Sequence, residues 1–146
     1  MVACAGNLFF DGNLPSLPGA ANNSFAVTNL QIDANGVYSR YPASNTGSYV
    51  DIAAPGKSHH RSHRDTIFPQ KKFTAKLIHF VGTNILSTYP VNSYTSLTGC
   101  SMATPYVSAL AALVWSVNPS FTNFQVRSII ESTAIDLGTP GRVSAV

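Results

Sequence analysis

Polarity along the chain divides it into a few segments. Val2 to Ala5 is a short apolar run, the composition of a strand buried in a parallel sheet. Ser24 to Thr28 alternates enough for a second strand, and a third is predicted over Ser48 to Ala53 after the turn-forming Ser44 to Gly47. The thirteen residues from Tyr106 to Asn118 include only Tyr106, Ser108, Ser116 and Asn118 as polar positions. A helix apolar nearly all round is a buried one. Thr122-Asn123-Phe124-Gln125 has the spacing of a capping box and opens a helix reaching Ala134. Val126, Ile129, Ile130 and Thr133 share one face of it, while Arg127 and Glu131 on the other side have the spacing of a solvated pair worth little. Buried strands followed by helices argue an α/β architecture.

Candidate chemistry gathers in Gly99-Cys100-Ser101-Met102-Ala103-Thr104-Pro105, just ahead of the apolar helix. Pro105 suits the first helical turn, which places the Ser101 hydroxyl at a helix N-terminus. Ser101 reads either as an N-cap or as a nucleophile beside free N–H groups that would hold an oxyanion. Gly6-Asn7 follows the first strand, and ligands in open α/β sheets gather beyond the strands' carboxyl ends. Asn7 is thus a turn residue tolerant of left-handed backbone, or an oxyanion donor. Asp51 reads as a structural acid.

These segments resemble the subtilisin-like serine proteases (subtilases). Gly99 to Pro105 is similar to the family's nucleophile motif, Gly-Thr-Ser-Met-Ala-Thr-Pro-His, and Val2-Ala3-Cys4-Ala5-Gly6-Asn7 to its strand ending in the oxyanion asparagine. Ser44 to Gly56 resembles its turn, strand and Ala-Pro-Gly. Asn84 to Thr88 and Tyr94 to Thr98 resemble the strands leading to the nucleophile, and Thr122 to Ala134 the next helix. The likeness runs from Met1 to about Gly141, apart from one block. It implies a partial subtilisin-like α/β fold, a parallel sheet with a buried nucleophile-bearing helix, incomplete at the N-terminus. It further implies a serine endopeptidase acting through an acyl-enzyme on polypeptide substrates. Ser101 would be the nucleophile, Asn7 the oxyanion donor, and Ala3, Cys4, Ala5 and Gly6 one wall of the substrate pocket. No cofactor is implied beyond the structural calcium that the family allows, and the compartment is extracellular or vacuolar.

The departures matter as much. A serine hydroxyl needs a base, and the base an orienting acid. The family's Asp-Ser/Thr-Gly and His-Gly-Thr-His segments do not occur here. Cys100 stands for threonine, Tyr106 for histidine, Ala109 for a helix glycine and Cys4 for alanine. Cys100 has no visible partner base and is no substitute nucleophile. The chain alone is expected to be inactive. The alternative is a pseudoenzyme or degenerate remnant that at most binds a peptide along a sheet edge.

With 146 residues, 45% of them hydrophobic, and with 10 Gly and 9 Pro, the chain has room for one loop-rich domain. No run of eighteen apolar residues marks a membrane span, and no signal peptide precedes the first strand. Two cysteines build no disulfide framework, and nothing in the sequence pairs them. Asn22-Asn23-Ser24 is a glycosylation sequon.

The net charge of +3 conceals a division. All four histidines (His59, His60, His63, His79) and all four lysines lie within residues 57–82. With Arg61 and Arg64 set against Asp65, that block carries +5, and the rest of the chain −2. Adjacent histidines with Asp65 make a poor metal-ligand set, and charge alone is a weak case for nucleic acid. Neither a metal nor a nucleic acid is expected as a partner. Deleting the block joins Pro55-Gly56 to Thr83-Asn84 in an uninterrupted subtilase segment. Gly56-Lys57-Ser58 is encodable with a GTAAGT splice donor, and Val81-Gly82 with a TAG acceptor, so the block reads as translated intron. Sequencing the full transcript beside its genomic locus is expected to show residues 57–82 spliced out and the frame extending upstream through the Asp and His motifs. A transcript that starts at Met1 and keeps the block identifies a remnant instead.

Overall fold

The strands alternate as the polarity pattern requires, sending Phe25, Val27, Ile52 and Ala54 to one face, where helices cover them. The computed structural model describes residues 1–32, 37–55, 85–136 and 144–145. The block at 57–82, with its metal, nucleic-acid and intron readings, lies outside the described residues. The elements in chain order are β1 (Val2–Cys4), β2 (Phe25–Ile32), β3 (Tyr38–Arg40), β4 (Ile52–Pro55), β5 (Ile85–Tyr89), β6 (Ser93–Leu97), α1 (Cys100–Val117), α2 (Asn123–Thr133), β7 (Ile135–Asp136) and β8 (Ser144–Ala145).

One sheet runs β1-β2-β4-β8-β7. Val2 pairs with Phe25, and Val27 with Ile52, in parallel register. β3 pairs antiparallel with the far end of β2, and β5 with β6 in a separate hairpin. Ala103 and Val107 of α1 and Val126 and Ile130 of α2 pack on the first face. The opposite face buries Ala26 with Ala5 and Val50, and Leu30 with Ala53. β7 pairs antiparallel with β8, so the sheet is mixed around a parallel β1-β2-β4-β8 core; with its helices it is the α/β fold expected from the sequence.

The details depart from the polarity pattern in three places. β2 continues four residues past Thr28 because β3, which the pattern did not reveal, pairs with Leu30 to Ile32. β4 begins at Ile52 rather than Ser48, since the Val50 N–H turns back to the Gly47 carbonyl at 3.1 Å. α1 starts at Cys100, because the Gly99 carbonyl already accepts the Met102 and Ala103 N–H groups at 3.0 and 3.2 Å. Pro105 therefore sits inside the helix, where it offers no N–H to the Ser101 carbonyl one turn back.

α1 is buried on one face only. Cys100, Ala103 and Val107 are enclosed, while Leu113 and Val117 are 54% and 63% exposed. The apolar composition predicted a wholly buried helix; only the face against the sheet is covered. By length and composition alone α1 also qualifies to cross a membrane, but its inner face is committed to β1, β2 and β4.

α2 carries both halves of its capping box: Gln125 N–H donates to Thr122 Oγ1 at 3.2 Å, and Thr122 N–H to Gln125 Oε1 at 2.8 Å. Val126 and Ile130 are buried, whereas Thr133 on the same predicted face is exposed. Arg127 does more than form a solvated pair with Glu131, which it meets at 2.8 Å. Its guanidinium also meets Asp51 Oδ1 at 2.5 Å and the Ser24 carbonyl at 3.1 Å, and it lies 5.1 Å above the Phe25 ring. Asp51 in turn accepts the Ala26 N–H at 2.8 Å, which makes it the structural acid read from the sequence. Asp51 is only 11% exposed, so removing its cation leaves a carboxylate with little water to replace it. Arg127→Met is expected to cost about 1–3 kcal/mol in urea unfolding. Arg127→Lys should recover only part of that, since one ammonium cannot reproduce the forked contacts.

Candidate active site

The loop after β1 and the first turn of α1 are the two segments that carry candidate chemistry, and the sheet brings them together. β1 is held on β2, α1 lies across both, and Cys4 and Cys100 form a disulfide with their Cα atoms 5.3 Å apart. The bridge joins residues 96 apart, a loop closure that in a chain-entropy account is worth on the order of 4–5 kcal/mol. The sequence did not pair these cysteines; the fold does.

Asn7 and Ser101 converge on the same junction. The Cys100 N–H donates to Asn7 Oδ1 at 3.1 Å. Holding the amide by its oxygen leaves Nδ2 as its donor end. Ser101 is the second residue of α1, so its own N–H is one of the first-turn donors without a helix carbonyl to meet. Its Oγ is exposed and lies 3.9 Å from Cys4 Sγ. An exposed hydroxyl, a helix N-terminus and an amide fixed by its oxygen are groups of the kind that acyl-transfer chemistry uses.

An open cleft of about 480 Å³ fronts this junction, lined by Ala3, Cys4, Ser101, Thr104, Pro105 and Ser108 among others. Of the four residues expected to form a pocket wall, Ala3 and Cys4 line it. Ala5 lies behind, packed on Ala26 and Val50, with its carbonyl accepting the Tyr49 hydroxyl at 3.0 Å. Gly6 is also behind, its N–H directed at Cys100 Sγ at 3.3 Å.

Sequence reasoning missed the residue that holds the Asn7 turn. Asn45 is fully buried; its Oδ1 accepts the Leu8 N–H at 2.6 Å and its Nδ2 donates to the Leu14 carbonyl at 2.8 Å. Its backbone N–H reaches the Gly6 carbonyl at 2.9 Å. The only signal was its place in a turn-forming run, which says nothing of bonds to a segment 37 residues away.

The fold raises the proton affinity of the Tyr38 phenol and lowers that of the Arg40 guanidinium, both by burial. Both belong to β3, outside the cleft lining. All four histidines lie outside the described residues. Among the described residues no three of His, Cys, Asp or Glu stand close enough to hold a cation, so no residue here is assigned to calcium.

Comparison with known proteins identifies the family and the fold. The subtilase family matches residues 1–145. Subtilisin BL of Lederbergia lenta is 35% identical over 136 residues, which cover 91% of this chain and 49% of that protein. A thermostable alkaline protease of Halalkalibacterium halodurans is 43% identical over 100 residues, covering 68% of this chain and 26% of that protein. Among solved structures, Sphericase superposes with a TM-score of 0.63 at 32% identity, covering 91% of this chain and 39% of that one. The fold defines a partial α/β scaffold of the subtilisin type. The chain belongs to the subtilase family, a family of serine endopeptidases, and spans about half or less of the length of these relatives.

The junction tolerates little added volume. Gly6 has φ +115°, and a Cβ there would lie 2.6 Å from Asn45 Nδ2 and 2.8 Å from Ser16 Oγ. Gly6→Ala is therefore expected to lower stability by about 1–3 kcal/mol in denaturant unfolding, from left-handed strain and overpacking together.

Proposed function

We propose that this chain is the nucleophile-bearing C-terminal part of a subtilase catalytic domain, with residues 57–82 an insertion foreign to it. In the complete enzyme Ser101 Oγ would attack a peptide carbonyl and form the acyl-enzyme. The Asn7 side chain and the first-turn N–H groups of α1 would hold the oxyanion. The observation that carries this reading is the 3.1 Å bond from the Cys100 N–H to Asn7 Oδ1, which aims the amide's donor end while setting the turn that presents Ser101. The substrate would be a polypeptide in the cleft along Ala3 and Cys4, and the compartment extracellular or vacuolar, as the family resemblance suggests.

The chain by itself supplies neither the aspartate nor the histidine motif of the triad. In a triad enzyme the loss of the base costs on the order of 10⁶ in turnover, leaving what the oxyanion hole and binding contribute alone. The 146-residue chain is therefore expected to show no hydrolysis of a denatured protein substrate and no adduct with a fluorophosphonate. The longer product of the spliced transcript should hydrolyse the substrate and carry the phosphonate on Ser101. In that product Asn7→Ala should lower kcat by about 10²–10³ with little change in KM, as loss of one oxyanion donor does. Hydrolysis by the 146-residue chain that Ser101→Ala abolishes would overturn the need for an absent base. A longer product that is inert and unlabelled would favour the peptide-binding remnant.

A further inference from the structure

We propose that the Cys4–Cys100 bridge is a thiol-exchange site in the floor of the cleft, with Cys4 the sulfur that a low-molecular-mass thiol such as glutathione attacks. Three observations carry this. The bridge is asymmetric in access: Cys4 is half-buried and lines the cleft, whereas Cys100 is fully buried. The Gly6 N–H points at Cys100 Sγ from 3.3 Å, and Cys100 is the first residue of α1. A backbone donor and the positive end of a helix both favour a thiolate at that sulfur over one at Cys4. Finally, Cys4 Sγ lies 3.9 Å from Ser101 Oγ, so whatever is attached to Cys4 stands beside the nucleophile.

The exchange follows from this asymmetry. The incoming thiolate forms a bond to Cys4 Sγ, the Cys4–Cys100 bond breaks, and its electron pair leaves on Cys100 Sγ as thiolate, held by the Gly6 N–H. Exchange depends on access to the attacked sulfur and on the quality of the leaving thiolate, and here both select the same direction. A second thiol can then take the adduct off Cys4 and leave as a mixed-thiol disulfide. The two thiols are oxidised, and Cys4 and Cys100 are reduced and end as two thiols. In the intermediate a peptide-sized group on Cys4 fills the cleft in front of Ser101. The consequence for peptide hydrolysis rests on the function proposed above; the exchange itself does not.

The test is read by mass and not by activity, so it stands apart from the failure or success of the peptidase reading. The oxidised chain is incubated natively with reduced glutathione, quenched with iodoacetamide and mapped by peptide mass spectrometry. The expected result is no alkylated cysteine before treatment and, after it, a glutathionyl group on Cys4 with Cys100 as the free thiol. In native alkylation Cys4 in Cys100→Ala should react at least about tenfold faster than Cys100 in Cys4→Ala, because only the former faces the cleft. Two free thiols in the untreated protein, an adduct on Cys100, or a bridge that resists the thiol until the chain is denatured would each overturn the proposal. The mapping uses the unaltered chain, so it decides the matter even where a variant does not fold.

Discussion

Everything that makes Ser101 more than a surface hydroxyl depends on a junction between two segments over ninety residues apart. The segment after β1 supplies the Asn7 side chain and the Gly6 N–H; the first turn of α1 supplies the Cys100 backbone and the serine. Neither segment could place itself alone. β1 has three residues, and a strand that short holds its position only through its parallel register with β2 and the helix laid across both. The site is therefore a consequence of sheet register. A slip of one residue in β1 would turn Cys4 away from the cleft and carry Asn7 off the helix N-terminus.

The same geometry explains what remains uncovered. In the strand order β1 is terminal, and among the described residues its outer edge has no strand partner. α1 buries the face that meets the sheet and bares Leu113, Trp115 and Val117 on the other side. An open parallel edge and a half-covered apolar helix are costly ends for a core. They fit a chain that spans about half or less of the length of its relatives. This supports reading the chain as part of a catalytic domain.

What the sequence made legible was local. The capping box at Thr122 and Gln125 formed as spaced, the apolar run at Val2 became a parallel strand, though at the sheet's edge and with only Ala3 buried, and Ser101 fell at a helix start. What it hid was either tertiary or short. β3 exists because β2 offers it an edge, not because Tyr38 to Arg40 has strong strand character. Arg127 looked like half of an i,i+4 surface pair because helical spacing shows neighbours on the helix and not Asp51, 76 residues away. Asn45 was read as a turn residue; that both ends of its amide bond to the segment around Asn7 is visible only in three dimensions.

The two cysteines are the clearest case of a local reading reversed by context. Beside Ser101, cysteine in place of the family's threonine exchanges a good hydroxyl donor for a weak thiol. Yet Asn7 is oriented by the Cys100 backbone N–H, which any residue but proline provides. The side chain at position 100 is thus released from the task of holding Asn7. It is directed into the sheet, where residue 4 of β1 is its neighbour at a Cα separation of 5.3 Å, within the range a disulfide spans. One replacement alone would have placed a thiol against alanine or threonine. The two together convert a packing contact between β1 and the first turn of α1 into a covalent one, without changing the hydrogen bond that holds Asn7.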